Sequence, residues 1–194
     1  MNVKDFSKSE LIGVLKAVEF STQCSNEGHI RQLIINVKEL IGAEHSICAM
    51  GRLSPNGVSD VMTVVNGDYP EEWVTIYKSE ELHKADPVVR FHTRFCGTQL
   101  WADTFQRYTD AESRQFLNHA ADFRLHYGIS SGVYVPGAES RSIFSFGGFR
   151  DTYEPHHKKI VDYVTLHLHK AFVRICRSNR QTVINVPTLY YKKC

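Results

Sequence analysis

Tyr69, Trp73 and Tyr77 stand four residues apart, and an acidic residue locked before a proline, Asp86-Pro87, follows them. At helical spacing i, i+4 and i+8 the three aromatics share one face. That face is either core packing or the wall of a ligand pocket. Tyrosine and tryptophan keep a hydroxyl and an indole N–H that need partners once buried, and a ligand with carbonyl groups supplies them. Asp86 is open to two readings as well. Pro87 biases it toward an extended conformation at a helix boundary, where it caps the next helix. Alternatively, its carboxylate points into an apolar pocket and accepts a hydrogen bond from an amide N–H. Trp101 either caps such a pocket or fills core.

Other chemistries find less support. His167 and His169 are two apart and diverge on a helix, while the adjacent His156 and His157 at a helix start are expected in water. There is no His-Glu-x-x-His spacing, so no metal site is expected. The stretch Tyr127-Gly-Ile-Ser-Ser-Gly132 lacks the lysine and helix context of a phosphate loop, and no Gly-x-Ser-x-Gly elbow occurs. Nothing assembles a nucleophile, a base and its orienting group, so an enzyme is not expected. The five cysteines are irregularly spaced and suggest neither a metal knuckle nor a disulfide framework. A formal charge of +2 without a Lys/Arg stripe gives no nucleic-acid footprint. With a charged N-terminus and no apolar stretch of spanning length, a soluble cytoplasmic protein without membrane contact is expected.

The elements that must position these residues are legible in part. The 194 residues suit one domain. Ser7 and Glu10 form a capping-box pattern, predicting a helix with Leu11, Val14, Leu15 and Val18 on its inner face. A second helix carries Ile30, Leu33, Ile34, Val37 and Leu40. Two extended runs, His45–Leu53 and Val58–Val65, meet at Ser54-Pro-Asn-Gly57, which has hairpin-turn chemistry. After the aromatic segment come a short helix from Asp86 toward Arg94 and a helix capped by Thr109 and Glu112, burying Phe116, Ala120 and Phe123. Strands Gly132–Val135 and Ser142–Phe146 are predicted around the turn Gly137–Arg141. A closing helix from near Pro155 buries Ile160, Val161, Val164, Leu168, Phe172 and Ile175. Hairpins with helices before, between and after them predict an α/β fold, an α/β/α sandwich with a central antiparallel sheet. The pattern dissolves after Cys176, which predicts a domain over 1–176 and a tail over 177–194.

Taken in order, several residues resemble one family. They are Tyr69-x-x-x-Trp73-x-x-x-Tyr77, Asp86-Pro87, Trp101, Gly128-x-x-x-Gly132-x-x-x-Pro136 and Ile-Phe-Ser145-Phe. This set resembles the autoinducer-binding domain of the LuxR-type quorum-sensing regulators, from the first helix to the closing one. The resemblance implies an antiparallel sheet between helical layers, in agreement with the reading above. It also implies a buried N-acyl-homoserine lactone, with no cofactor and no metal. Trp73 is then expected to donate its indole N–H to the lactone carbonyl, and Asp86 to accept the ligand amide N–H. Tyr69 and Ser145 offer hydroxyls to the acyl-amide carbonyl, Tyr77 flanks the acyl chain, and Trp101 packs on the lactone ring.

The sequence departs from the family in two ways. The segment between Trp101 and Gly128 is long, and the given chain stops at Cys194, where the family continues into a helix-turn-helix module. The resulting expectation is ligand sensing without direct DNA binding, as a homodimer or a heterodimer with a full-length regulator. Alternatives are a truncated dominant-negative partner of such a regulator, or a sensor for a different small amide on the same scaffold.

Overall fold

The computed structural model describes residues 6–54, 57–95, 97–133, 140–148 and 155–184. Within them, β1 (His45–Ser54), β2 (Gly57–Asn66), β3 (Gln99–Leu100), β4 (Gly128–Val133) and β5 (Ser140–Gly147) form one sheet. Its order is β2-β1-β5-β4-β3, and every neighbouring pair is antiparallel. The helices are α1 (Lys8–Gln23), α2 (Glu27–Leu40), α3 (Glu71–Ser79), α4 (Pro87–Arg94), α5 (Trp101–Arg107), α6 (Ala111–Asp122) and α7 (Pro155–Ile184).

Alternation along the strands separates two cores. Phe144 and Phe146 of β5, Ile129 of β4 and Cys48 of β1 face α1, α2 and α7. There they pack with Leu33, Ile34, Val37, Val164, Leu168 and Phe172. Ile47 and Ile143 face the opposite way and pack with Tyr69, Trp73, Val88, Trp101 and Phe116 from the layer α3–α6. The sheet is therefore covered on both faces, and the expected α/β/α sandwich is the fold observed.

The corner between β2 and α3 is tied down by Asp68. Its carboxylate accepts from the backbone N–H of Ser46 at 2.7 Å and from the Ser46 hydroxyl at 3.1 Å, and it pairs with Lys38 of α2. The backbone oxygen of Asp68 lies 2.9 Å from Nδ1 of His45. Just beyond, Asn66 brackets Tyr69, accepting from its N–H at 2.9 Å and donating to its carbonyl at 3.0 Å. Sheet, α2 and the aromatic segment thus meet at one carboxylate.

Several sequence expectations need correction. Leu15, expected inward, is 67% exposed. The α1 face that docks centres on Gly13, Ala17 and Ser21, with Val14 and Phe20 packed beside them. A Cβ on Gly13 would lie 2.4 Å from Leu40 Cδ1, so small residues are what let α1 approach α2. Arg174 ties α7 to the C-terminus of α1, donating from Nη2 to the carbonyls of Ser21 at 2.8 Å and Cys24 at 2.9 Å. The N-cap of α6 is Asp110 rather than Thr109, accepting from the Ser113 N–H at 3.0 Å. His156, expected in water, is half-buried with Nε2 3.0 Å from Glu10. Strand β4 begins at Gly128, four residues before the expected Gly132. Helix α7, predicted from near Pro155, runs through Ile184. Pro55, Asn56, Val135, Pro136 and residues 137–139, which carry the expected turns and the last motif position, lie outside the described residues.

Because Asp68 satisfies the backbone N–H and the hydroxyl of Ser46 on β1 as well as Lys38, its loss removes the partner of three groups. Asp68→Ala should lower the free energy of unfolding in urea by about 2–3 kcal/mol. A change below about 0.5 kcal/mol would contradict the role given to this corner.

Candidate functional site

Three rungs of β4 and β5 carry the site: Gly128 opposite Gly147, Ser130 opposite Ser145, and Gly132 opposite Ile143. Five of these six positions hold glycine or serine, and all face the aromatic layer. Trp101, at the start of α5, lies over the glycine rung. A Cβ on Gly128 would come within 2.7 Å of its ring, and one on Gly147 within 2.8 Å. The indole N–H of Trp101 donates to Ser130 Oγ at 2.8 Å, and Ser130 Oγ lies 2.8 Å from Ser145 Oγ. Since an indole only donates, Ser130 is free to pass its own proton toward Ser145. The Ser145 hydroxyl then remains available as a donor.

Tyr69 enters from the β2–α3 corner, buried, with its ring tilted against His45 at 5.7 Å between centroids. Its hydroxyl would be 2.9 Å from a Cβ on Gly147, so hydroxyl, glycine and Trp101 converge. That hydroxyl is buried and has no hydrogen-bond partner among the described residues. Burial and the negative charges of Asp86 and Asp68 push its pKa up, which keeps it a neutral donor.

Trp73 and Tyr77 share the inner face of α3. The Trp73 ring sits 5.7 Å from Tyr77, 5.8 Å from Phe116 and 5.3 Å from Phe123. Phe116 and Phe123 come from α6 and its C-terminal cap, so the long segment after Trp101 builds the aromatic wall opposite the sheet. The Tyr77 hydroxyl donates to Asp86 Oδ2 at 2.8 Å.

Asp86 realises both of its sequence readings. It is the N-cap of α4, with Oδ1 accepting from the Val88 N–H at 2.8 Å. It is also a carboxylate only 8% exposed in an aromatic cluster. Burial raises its pKa to about 6, against the opposing pull of the Tyr77 hydroxyl and the N–H groups of Val88 and Val89. An ionised carboxylate has about four lone-pair sites, so acceptor capacity remains after these bonds.

All six residues singled out from sequence therefore lie on one side of the sheet. They fall into a Tyr77–Asp86 pair, a Trp101–Ser130–Ser145 chain, Tyr69 against Gly147, and Trp73 in the aromatic wall. Sequence reasoning passed over Ser130, although the alternation Gly128, Ser130, Gly132 was the signal that could have found it. It also passed over Gln99, whose Nε2 donates to the Val88 carbonyl at 3.0 Å while Oε1 accepts from Thr104 at 2.9 Å. Gln99 ties the helix of Asp86 to the helix of Trp101. Among the described residues, no three His, Cys, Asp or Glu side chains group as metal ligands. No described helix is long and apolar enough to cross a membrane.

Comparison with known proteins agrees with this fold. No curated protein sequence matches the chain significantly. Among solved structures, Escherichia coli SdiA superposes with a TM-score of 0.66 at 14% identity, covering 93% of this chain and 73% of SdiA. The N-acylhomoserine lactone dependent LuxR family transcription factor CepR2 from Burkholderia cenocepacia gives 0.67 at 15%, covering 88% and 98%. SdiA in complex with octanoyl-rac-glycerol gives 0.66 at 14%, covering 97% and 74%. At such identities the likeness speaks for the fold. The sequence model of the autoinducer binding domain matches residues 26–172, and the chain belongs to the autoinducer-binding domain family of LuxR-type regulators.

Proposed function

We propose that this chain is a sensor that binds an N-acyl-homoserine lactone between the small-residue face of β4–β5 and the aromatic layer α3–α6. The observation that carries the reading is the buried Tyr69 hydroxyl, a donor without a partner among the described residues that converges with Trp101 on Gly147. A ligand carbonyl at that point satisfies it. Ser145 offers a second hydroxyl to the same acyl-amide carbonyl. Asp86 accepts the amide N–H, with Tyr77 holding its carboxylate in place. Trp73 donates to the lactone carbonyl, and Trp101 packs on the ring.

Magnitudes divide the work. A neutral hydrogen bond contributes about 0.5–1.5 kcal/mol and one to an ionised carboxylate about 1.5–3. Each buried acyl methylene adds about 0.8 kcal/mol. The polar groups fix the headgroup, and the chain supplies much of the affinity. Because the ligand binds only the folded protein, it stabilises the domain by mass action.

The SdiA complex with octanoyl-rac-glycerol raises a second reading, an acylglycerol. Such an ester has no amide N–H to give Asp86, but its glycerol hydroxyls can donate to the carboxylate, so the two readings are separated by titrating the wild-type chain with each ligand. In calorimetric titration, Asp86→Asn should weaken lactone binding about tenfold or more. Equal lactone affinity in wild type and variant would remove Asp86 from the site.

The pH dependence has a definite sign. The free protein's Asp86 is half protonated near pH 6, and the amide N–H favours the ionised form, so binding expels a proton below that pH. Lactone affinity should rise about tenfold between pH 5 and 7 and then level off, with the slope abolished in Asp86→Asn. A flat wild-type profile counts against the contact.

A Cβ at position 147 would stand under 3.0 Å from both Trp101 and the Tyr69 hydroxyl. Gly147→Ala should therefore abolish lactone-induced thermal stabilisation, read as a loss of the Tm increase. A normal increase would place the ligand elsewhere.

A further inference from the structure

The third rung of the site face, Gly132 opposite Ile143, is covered by His92 of α4. A Cβ on Gly132 would lie 2.5 Å from its Cε1 and 2.7 Å from its Nε2. The residue is 5% exposed. Its Nε2 is 3.0 Å from the backbone oxygen of Ser142. A carbonyl only accepts, so Nε2 carries the ring proton, and in the neutral ring Nδ1 is a bare acceptor. Burial keeps the ring neutral by pulling its pKa down to about 4. Nδ1 is itself buried and has no hydrogen-bond partner among the described residues.

The imidazole is held in this place. Arg141, on β5, donates from Nη1 to the carbonyls of His92 at 2.9 Å and Thr93 at 2.7 Å, clamping the end of α4 to the sheet. The ring that covers this rung is thus anchored at Nε2 and at its backbone, with one buried lone pair, at Nδ1, left over among the described residues. Buried polar atoms are nearly always paired, and this one calls for a donor.

We propose that Nδ1 of His92 is a specificity-determining acceptor for a hydroxyl carried on the acyl chain of the ligand. The inference rests on the lactone reading above. Two strand residues separate this rung from the serine rung, about 7 Å, so the hydroxyl belongs on the chain well beyond the amide. A keto group at that carbon brings a second acceptor against the first and is rejected. A plain methylene leaves Nδ1 unpaired.

The test uses homoserine lactones of one chain length: unsubstituted, and with a hydroxyl or a keto group at each successive chain carbon. Titration of the full chain should find one distal hydroxyl isomer binding about three- to tenfold tighter than the unsubstituted lactone. The keto isomer at the same carbon should bind more weakly than the unsubstituted one. In ¹⁵N spectra of histidine-labelled protein, assigned with His92→Phe, the His92 Nδ1 resonance should move with that hydroxyl isomer and stay with the unsubstituted lactone. If the variant does not fold, the wild-type series decides alone. Unsubstituted lactone binding as well as every hydroxyl isomer overturns the role of His92 and leaves the lactone reading standing. Folded protein that binds none of the series overturns both.

Discussion

A strand sends successive side chains to opposite faces, and in β4 and β5 that constraint sets what each side of the molecule does. Ile129, Phe144 and Phe146 go to one face, where they are almost fully buried against α2 and α7. Gly128, Ser130, Gly132, Ser145 and Gly147 go to the other. The first face holds the fold together, since a buried side chain of that size contributes about 1.5–3 kcal/mol. The second gives up that contribution, and the space left by its missing side chains is what admits Trp101, the Tyr69 hydroxyl and the His92 ring so close to the backbone. A one-residue slip of either strand would exchange the two faces, so register and site stand or fall together.

The aromatic side also retains polar atoms that a plain core would shed. Tyr69 Oη and His92 Nδ1 are buried without partners among the described residues, and Asp86 keeps a carboxyl where burial resists its charge. Each such group left unpaired costs about 1–3 kcal/mol. Proteins tolerate such local conflicts where function needs them. A ligand with a carbonyl, an amide N–H and a donor further along its chain relieves all three. Binding and stability are then two readouts of one set of contacts.

What was legible in the sequence followed from how many bonds each signal involves. The helical period of α2 and the alternation in β5 each repeat several times, and both came out in place. The shared face of Tyr69, Trp73 and Tyr77 and the helix boundary at Asp86-Pro87 were legible because helical spacing and a proline-locked acid are local signals. Single-event features were not. The short β3 and α5 are held by Gln99 bridging Val88 and Thr104, a tertiary contact with no local trace. Periodicity places Val14 inward correctly but also Leu15, because it follows large residues while close helix approach uses Gly13, Ala17 and Ser21. Ser130 and His92 gain meaning only when the sheet brings β4, β5 and α4 together.

The central claim is that the aromatic layer and the small-residue face close around an acyl-homoserine lactone. The most direct measurement is mass spectrometry of small molecules extracted from protein expressed with a mixed panel of these lactones. The account predicts that one lactone is recovered in near-equimolar amount, and that its chain identifies the preferred ligand. Folded, monodisperse protein that yields no lactone from the panel would contradict it.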